Sequence, residues 1–232
     1  MERQTKKADS RPAFIGRSTG NSNALFLIGF KALESIRLKS ADATTAMICT
    51  VFAVAAIETF VYELGEQAFI ETEESPHREL LHGLGKLVRD MEESRFQLFA
   101  KVAWIVRYLT GKPPDLGNRI FQDFQVLVRL RNAIIHLKDT EEVHFYQDRP
   151  NEYIGTPRVI SQLQDMQLIR RPYTGSWLVA ISTPELAEWS CRTAHIMAVT
   201  LKDLLPDSFC RLTTAGSVCP FKLDKSTQKR ST

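Results

Sequence analysis

Residues 42–70 have the sequence DATTAMICTVFAVAAIETFVYELGEQAFI, which keeps apolar residues at spacings of three and four. This spacing predicts a helix, and apolar side chains cover almost its whole circumference. A helix of that kind has to be surrounded by other helices, so the stretch predicts the centre of an all-α bundle. Its longest apolar run, 46–57, is too short to cross a bilayer and is followed by Glu58, so we expect no membrane span.

Helical patterns continue on both sides of this central segment. Ser75-Pro76 and Thr183-Pro184 each place a capping residue before a proline, which is typical of a helix start. The predicted helices are, in chain order, 22–38, 42–70, about 75–91, 94–111, about 118–138 and a last long helix that begins after Thr183. We expect the helices at 42–70 and 118–138 to be the two longest of the core.

The region 139–182, before the last helix, is predicted to be a long loop or insertion. Residues 139–157 mix charge, proline and glycine with little periodicity, which favours a loop. A short helix is expected at about 158–169, and SWLVAIS (176–182) is the one stretch that favours a β-strand.

Length and charge predict one globular domain with basic ends. The 232 residues are 44% hydrophobic, which suffices for one domain over residues 21–205. Residues 1–17 hold five Lys/Arg against two Asp/Glu, and residues 222–232 hold four against one. The net charge of +3 therefore leaves −3 on the rest of the chain, so a surface that binds polyanions all over is excluded. We expect flexible basic tails at 1–20 and 206–232.

Compartment and cofactor expectations follow from what the sequence does not contain. The N-terminal residues are polar and are not followed by the apolar segment of a secretory signal, so the cytoplasm is the expected location. The four cysteines lack the paired spacing of a metal site and are too sparse for a disulfide framework. We therefore expect neither a metal nor a cofactor.

Polar residues form a narrow ridge on the predicted helix at 118–138. At 100° per residue, apolar side chains occupy two faces of this helix, and one remaining stripe collects Gln125, Arg129, Asn132 and His136. Arg131 falls between the two apolar faces. Such a ridge fits a cleft at a subunit interface better than a buried core, because unpaired polar groups are costly to bury.

The motif RNAIIH (131–136), preceded by a long helix that contains AAIETF (55–60), resembles the HEPN superfamily of helical-bundle proteins. The signature of that superfamily is an arginine, four to six residues and a histidine, usually with a polar residue directly after the arginine. The resemblance covers about residues 22–205, apart from 139–182. It implies a HEPN-like bundle, metal-independent cleavage of RNA in many members, and a homodimer in which the motif helices of two protomers meet.

The residue types in the motif suit this chemistry. RNA carries its own nucleophile in the 2′-OH, so a ribonuclease needs a group that transfers protons and a cation that holds the phosphate. His136 and Arg131 are the candidates for these two roles, and Asn132 for orienting the imidazole or donating to the phosphate. The expected product is a 2′,3′-cyclic phosphate, and Arg129 is a second phosphate contact.

Two alternatives remain open for the site residues. On a straight helix Arg129 lies within about 20° of His136 and also satisfies the signature, whereas Arg131 is about 140° away. Arg131 is nevertheless the preferred catalytic arginine, because a polar residue follows it. Arg131 is also a candidate for a buried ion pair with Glu58, and removing one partner of such a pair would destabilise the fold by ~3 to 5 kcal/mol.

Two classes of function follow. The first is an endoribonuclease, which the resemblance connects with toxins and antiviral defence effectors controlled by a separately encoded regulator or antitoxin. The second is a non-catalytic helical module for dimerisation or partner binding. The presence of both Arg131 and His136 favours the first class.

Overall fold

The computed structural model describes residues 21–37, 44–70, 76–136, 142–144, 152–154, 156–170, 176–207 and 209. Within these ranges the chain folds as an all-α bundle with one short two-stranded ribbon, which confirms the predicted fold class. The predicted tails lie outside the described residues, apart from the first residues of the second tail.

Eight helices and two strands follow one another in the described residues. They are α1 (Asn21–Arg37), α2 (Thr44–Ile70), α3 (Arg78–Glu93), α4 (Leu98–Thr110), α5 (Arg119–Ile135), β1 (Glu142–His144), β2 (Glu152–Ile154), α6 (Arg158–Asp165), α7 (Trp177–Ala180) and α8 (Pro184–Asp203). The expectation about the longest helices is wrong for α5, since α8 has 20 residues and α5 has 17.

The α2 helix lies at the centre, as its sequence predicts. It packs against α1, α3, α5 and α8 and buries Val54, Ile57, Val61 and Leu64 among them. Among the described residues, Thr44–Phe69 is the one stretch long and apolar enough to cross a membrane. Half of its most apolar part is buried in the bundle, and a helix in the core of a bundle can have the same length and apolar composition.

The helices α2 and α3 come unusually close at two glycines. A Cβ added to Gly85 would lie 2.8 Å from Cβ and from the backbone nitrogen of Phe69, and 2.9 Å from the Gly65 carbonyl oxygen. Two of these three atoms belong to the α2 backbone, which cannot move aside as a flexible side chain can. The crossing therefore requires glycine at position 85.

Replacement of Gly85 by alanine is expected to lower the free energy of unfolding by about 1 to 3 kcal/mol, because the methyl group has to separate two packed helices. Gly29→Ala is the matched control, since a Cβ there would meet its nearest atoms at 3.8 Å or more. That variant should be neutral or gain up to about 1 kcal/mol from helix propensity. Urea unfolding of both proteins measures the difference, and equal effects would contradict the close crossing.

The region predicted as a loop or insertion contains regular structure. In the ribbon, Val143 of β1 lies opposite Tyr153 of β2, and the short helix predicted near 158–169 is present as α6. The strand predicted at 176–182 is wrong, because these residues form α7. Ser176 caps this helix by accepting a hydrogen bond from Leu178 N, and Trp177 and Ile181 are buried one helical turn apart.

His195 is a buried histidine on α8, and its burial lowers the pKa of the imidazole below 6.5. In the unfolded chain His195 binds a proton near pH 6.5, whereas in the folded protein it binds this proton only at a lower pH. The unfolded state therefore binds more protons in this range, and the free energy of unfolding falls as the pH drops through 6.5.

The free energy of unfolding of the wild-type protein should consequently fall by up to ~1 kcal/mol between pH 6.5 and 5.5, relative to a His195→Gln variant. Denaturant unfolding at half-unit pH steps from 7.5 to 5.5 gives the two curves. If they run parallel, protonation of His195 does not control stability in this range.

Candidate functional site

The motif lies at the exposed C-terminal end of α5, a helix whose middle turns are buried. Asn118 caps α5 by accepting a hydrogen bond from Ile120 N at 2.9 Å. The next turns bury Phe121, Phe124, Leu127 and Leu130 in the core. From Arg131 to His136 the side chains are partly or fully exposed.

The helix also ends earlier than the sequence suggests. It stops at Ile135 instead of continuing to 138, and the backbone N–H of His136 donates to the Asn132 carbonyl at 2.9 Å as the helix cap. Ala133 and Ile134 still pack partly against the core, whereas Ile135 and His136 are exposed.

The polar ridge expected from the helical wheel is present in the structure. Arg129, Asn132 and His136 are exposed, and Gln125 is half-buried one turn before them. The structure therefore brings Arg129, Asn132 and His136 onto one accessible face. This face exposes an imidazole, an amide and a guanidinium to solvent.

Arg131 points away from the ridge and toward α2. Its Nη2 donates to Oε2 of Glu58 at 2.6 Å, so the expected ion pair is present. The pair is not buried as expected, since the side chain of Glu58 is 48% exposed and that of Arg131 is 17% exposed. Glu58 and Tyr62 lie one helical turn apart and form an exposed outer strip of α2. Because apolar residues cover almost all of α2, the sequence pattern does not reveal this strip.

Gln162 of α6 is a neighbour of the ridge that the sequence analysis missed. Its Oε1 lies 3.5 Å from Nη1 of Arg129, at the long limit of a hydrogen bond. The contact joins residues 33 positions apart, across a region for which the family resemblance gives no correspondence. No periodicity or spacing could have indicated it, because it depends on how α6 folds back onto α5.

Charged groups elsewhere on α5 differ from those of the ridge. Burial raises the pKa of Asp123, and the Arg119 guanidinium 3.6 Å away opposes this effect. Asp123 lies near the start of the helix, about 20 Å from His136 at 1.5 Å per residue. In the part of the chain that the structure describes, no three His, Cys, Asp or Glu side chains come together as a metal site.

The ridge can support proton transfer and anion binding, because an imidazole can accept and donate a proton and a guanidinium matches phosphate oxygens. Glu58 fixes the direction of a second guanidinium on the neighbouring face. Comparison of the chain with family models, curated proteins and solved structures finds no match.

Proposed function

We propose that this protein is a metal-independent endoribonuclease of the HEPN type that acts as a homodimer. The observation that carries the proposal is the exposure of His136 on the same ridge as Arg129 and Asn132, beside the Arg131–Glu58 pair. Its exposure leaves the imidazole accessible to an RNA strand, which a histidine packed in the core would not be. The substrate is RNA, because only RNA brings the 2′-OH that these side chains need.

In the proposed reaction the 2′-oxygen attacks the adjacent phosphorus and the 5′-oxygen leaves. The 2′-OH proton passes to one imidazole, and a second imidazole protonates the leaving 5′-oxygen. Each protomer supplies one His136, so a twofold dimer supplies both the base and the acid. The products are a 2′,3′-cyclic phosphate and a 5′-hydroxyl.

The two arginines take different parts in this proposal. The Glu58 contact uses Nη2 of Arg131, and a guanidinium with five N–H groups has further donors for a phosphate oxygen. A carboxylate that holds the guanidinium in place reduces the reorganisation needed as charge builds on the phosphorane. Arg129 is the second phosphate contact, in reach of the strand because it is exposed.

The decisive experiment is incubation of purified wild-type protein with mixed RNA, with and without EDTA, followed by end-group analysis. The proposal requires cleavage that persists in EDTA, stops when the attacked nucleotide is 2′-deoxy, and leaves 2′,3′-cyclic phosphate ends. Cleavage that requires a metal, or equal cleavage of DNA, would contradict the mechanism.

A second candidate is a non-catalytic module for helix association, and exposed apolar side chains favour it. Ile135 at the end of α5 is 50% exposed, and Tyr62 on the outer strip of α2 is 49% exposed. Ile135 lies one helical turn after Arg131, and Tyr62 lies one turn after Glu58. The Arg131–Glu58 ion pair therefore connects the two helices that carry these apolar side chains. Both functions use this face as a contact between two copies.

Ile135→Asp is therefore expected to weaken the homodimer at least about tenfold, because a charge replaces an apolar side chain in the proposed interface. Val179→Asp is the control, since Val179 is even more exposed but belongs to α7. Light scattering over a concentration series measures both dissociation constants. A wild-type protein that stays monomeric at micromolar concentration would argue against the dimer.

A further inference from the structure

Two buried thiols meet where α1, α2 and α8 come together. Cys49 of α2 and Cys191 of α8 carry free thiols and are 0% and 2% exposed. Each sulfur lies within hydrogen-bond distance of the same acceptor, the Gly29 carbonyl oxygen of α1, at 3.4 Å for Cys49 and 3.8 Å for Cys191. The side chains of Cys49 and Cys191 are also within hydrogen-bond reach of each other, so the two sulfur atoms are neighbours.

Small side chains let the helices that carry these thiols approach closely. Ala46 and Ala187 join the two cysteines in one buried cluster. At the adjacent pair of positions, Oγ1 of Thr50 lies 3.0 Å from Oγ of Ser190. A direct contact between two such short side chains requires close backbones, which is the condition for bridging the neighbouring cysteines with little movement.

One interaction also promotes ionisation of Cys49. The hydrogen bond with Cys191 lowers the pKa of the Cys49 thiol, and burial opposes this effect. Since the thiolate is the reactive form, we assign the attack on the oxidant to Cys49, with Cys191 as the neighbouring thiol.

We propose that Cys49 and Cys191 form an oxidative modification site, which hydroperoxides convert into a reversible disulfide between α2 and α8. The Cys49 thiolate attacks the peroxide oxygen, the O–O bond breaks, and Cys49 becomes a sulfenic acid while an alcohol or water leaves. The Cys191 sulfur then attacks the Cys49 sulfur, and the hydroxyl leaves as water with the Cys191 proton. One hydroperoxide is reduced by two electrons, and the two thiols supply them.

The disulfide would link two core helices across more than half of the chain. Cross-links over long segments restrict the unfolded chain strongly, so the oxidised protein should melt at a higher temperature, by about 5 °C or more. The site uses none of the residues of the ridge. Its existence is therefore independent of the proposed ribonuclease activity.

Trypsin mapping of the folded protein tests this proposal, because each cysteine lies on a different tryptic peptide. Cys49 belongs to 40–78 and Cys191 to 171–192, and the other two cysteines belong to 203–211 and 212–222. Folded protein is treated with hydrogen peroxide or left untreated, blocked with an alkylating agent in denaturant, digested and analysed by mass spectrometry. A Cys191→Ser variant and a sample returned to dithiothreitol are the controls.

The proposal predicts a linked peptide 40–78 with 171–192 that peroxide produces, dithiothreitol removes and Cys191→Ser lacks. It also predicts that, among these samples, only the oxidised wild-type protein melts at a higher temperature. The Cys49→Ala variant, which keeps a small apolar side chain in place, should fold and lack both signals. Linkage of Cys49 to 203–211 or 212–222, over-oxidation without linkage, or linkage only after unfolding overturns the proposal.

Discussion

His136→Ala is expected to lower the rate of RNA cleavage by about 10² to 10⁴, the usual effect of removing a general acid or base. The fold should be nearly unaffected, because the imidazole is exposed and follows the last turn of α5. Substitutions at such positions usually change the free energy of unfolding by no more than ~0.5 kcal/mol. Single-turnover cleavage assays and denaturant unfolding of the same preparation measure both quantities.

His77→Ala is the matched control for this variant, since His77 is also exposed and also flanks a helix. It should retain wild-type activity. A His136→Ala protein that cleaves RNA as fast as the wild type would remove the imidazole from the mechanism. A variant that is inactive only because it unfolds would instead support a structural role.

Most of the fold follows from hydrophobic periodicity. The central position of α2 could be predicted because apolar residues surround it, and the start of α8 because a Thr-Pro pair precedes it. Periodicity failed at SWLVAIS, because four to seven apolar residues fit a buried strand and a short helix equally well. There the Ser176 cap and the buried contacts of Trp177 decide in favour of a helix.

The site could be predicted only in part, for a related reason. The order of Arg129, Asn132 and His136 along one face is a property of helix geometry, so the sequence contains it. Exposure depends on which neighbours cover a helix. Neither the solvent-facing end of α5 nor the outer strip with Glu58 could be foreseen from the chain alone. The contact of Gln162 with Arg129 is tertiary in the same sense.

Arg131→Ala should reduce cleavage by about 10² to 10³, the scale for a lost donor to a developing oxyanion. The exposure of the Arg131–Glu58 pair changes the effect that we expect this variant to have on the free energy of unfolding. A buried ion pair would have cost ~3 to 5 kcal/mol when broken, but Glu58 is nearly half exposed and stays hydrated without its partner. Pairs in such positions contribute about 0 to 1 kcal/mol, so Arg131→Ala should remain folded.

Glu58→Gln and Arg129→Ala complete the comparison. Glutamine keeps an acceptor for Arg131 but removes the negative charge of Glu58, so a loss of activity in this variant measures how far the carboxylate orients the guanidinium.

Arg129→Ala removes a guanidinium from the ridge itself, and it should weaken RNA binding and reduce the salt dependence of that binding. If the Arg129 variant loses activity 10²-fold and Arg131→Ala does not, Arg129 is the catalytic arginine, as its position beside His136 on the helix allows. If neither variant affects cleavage and both stay folded, the ridge is a contact surface rather than an active site.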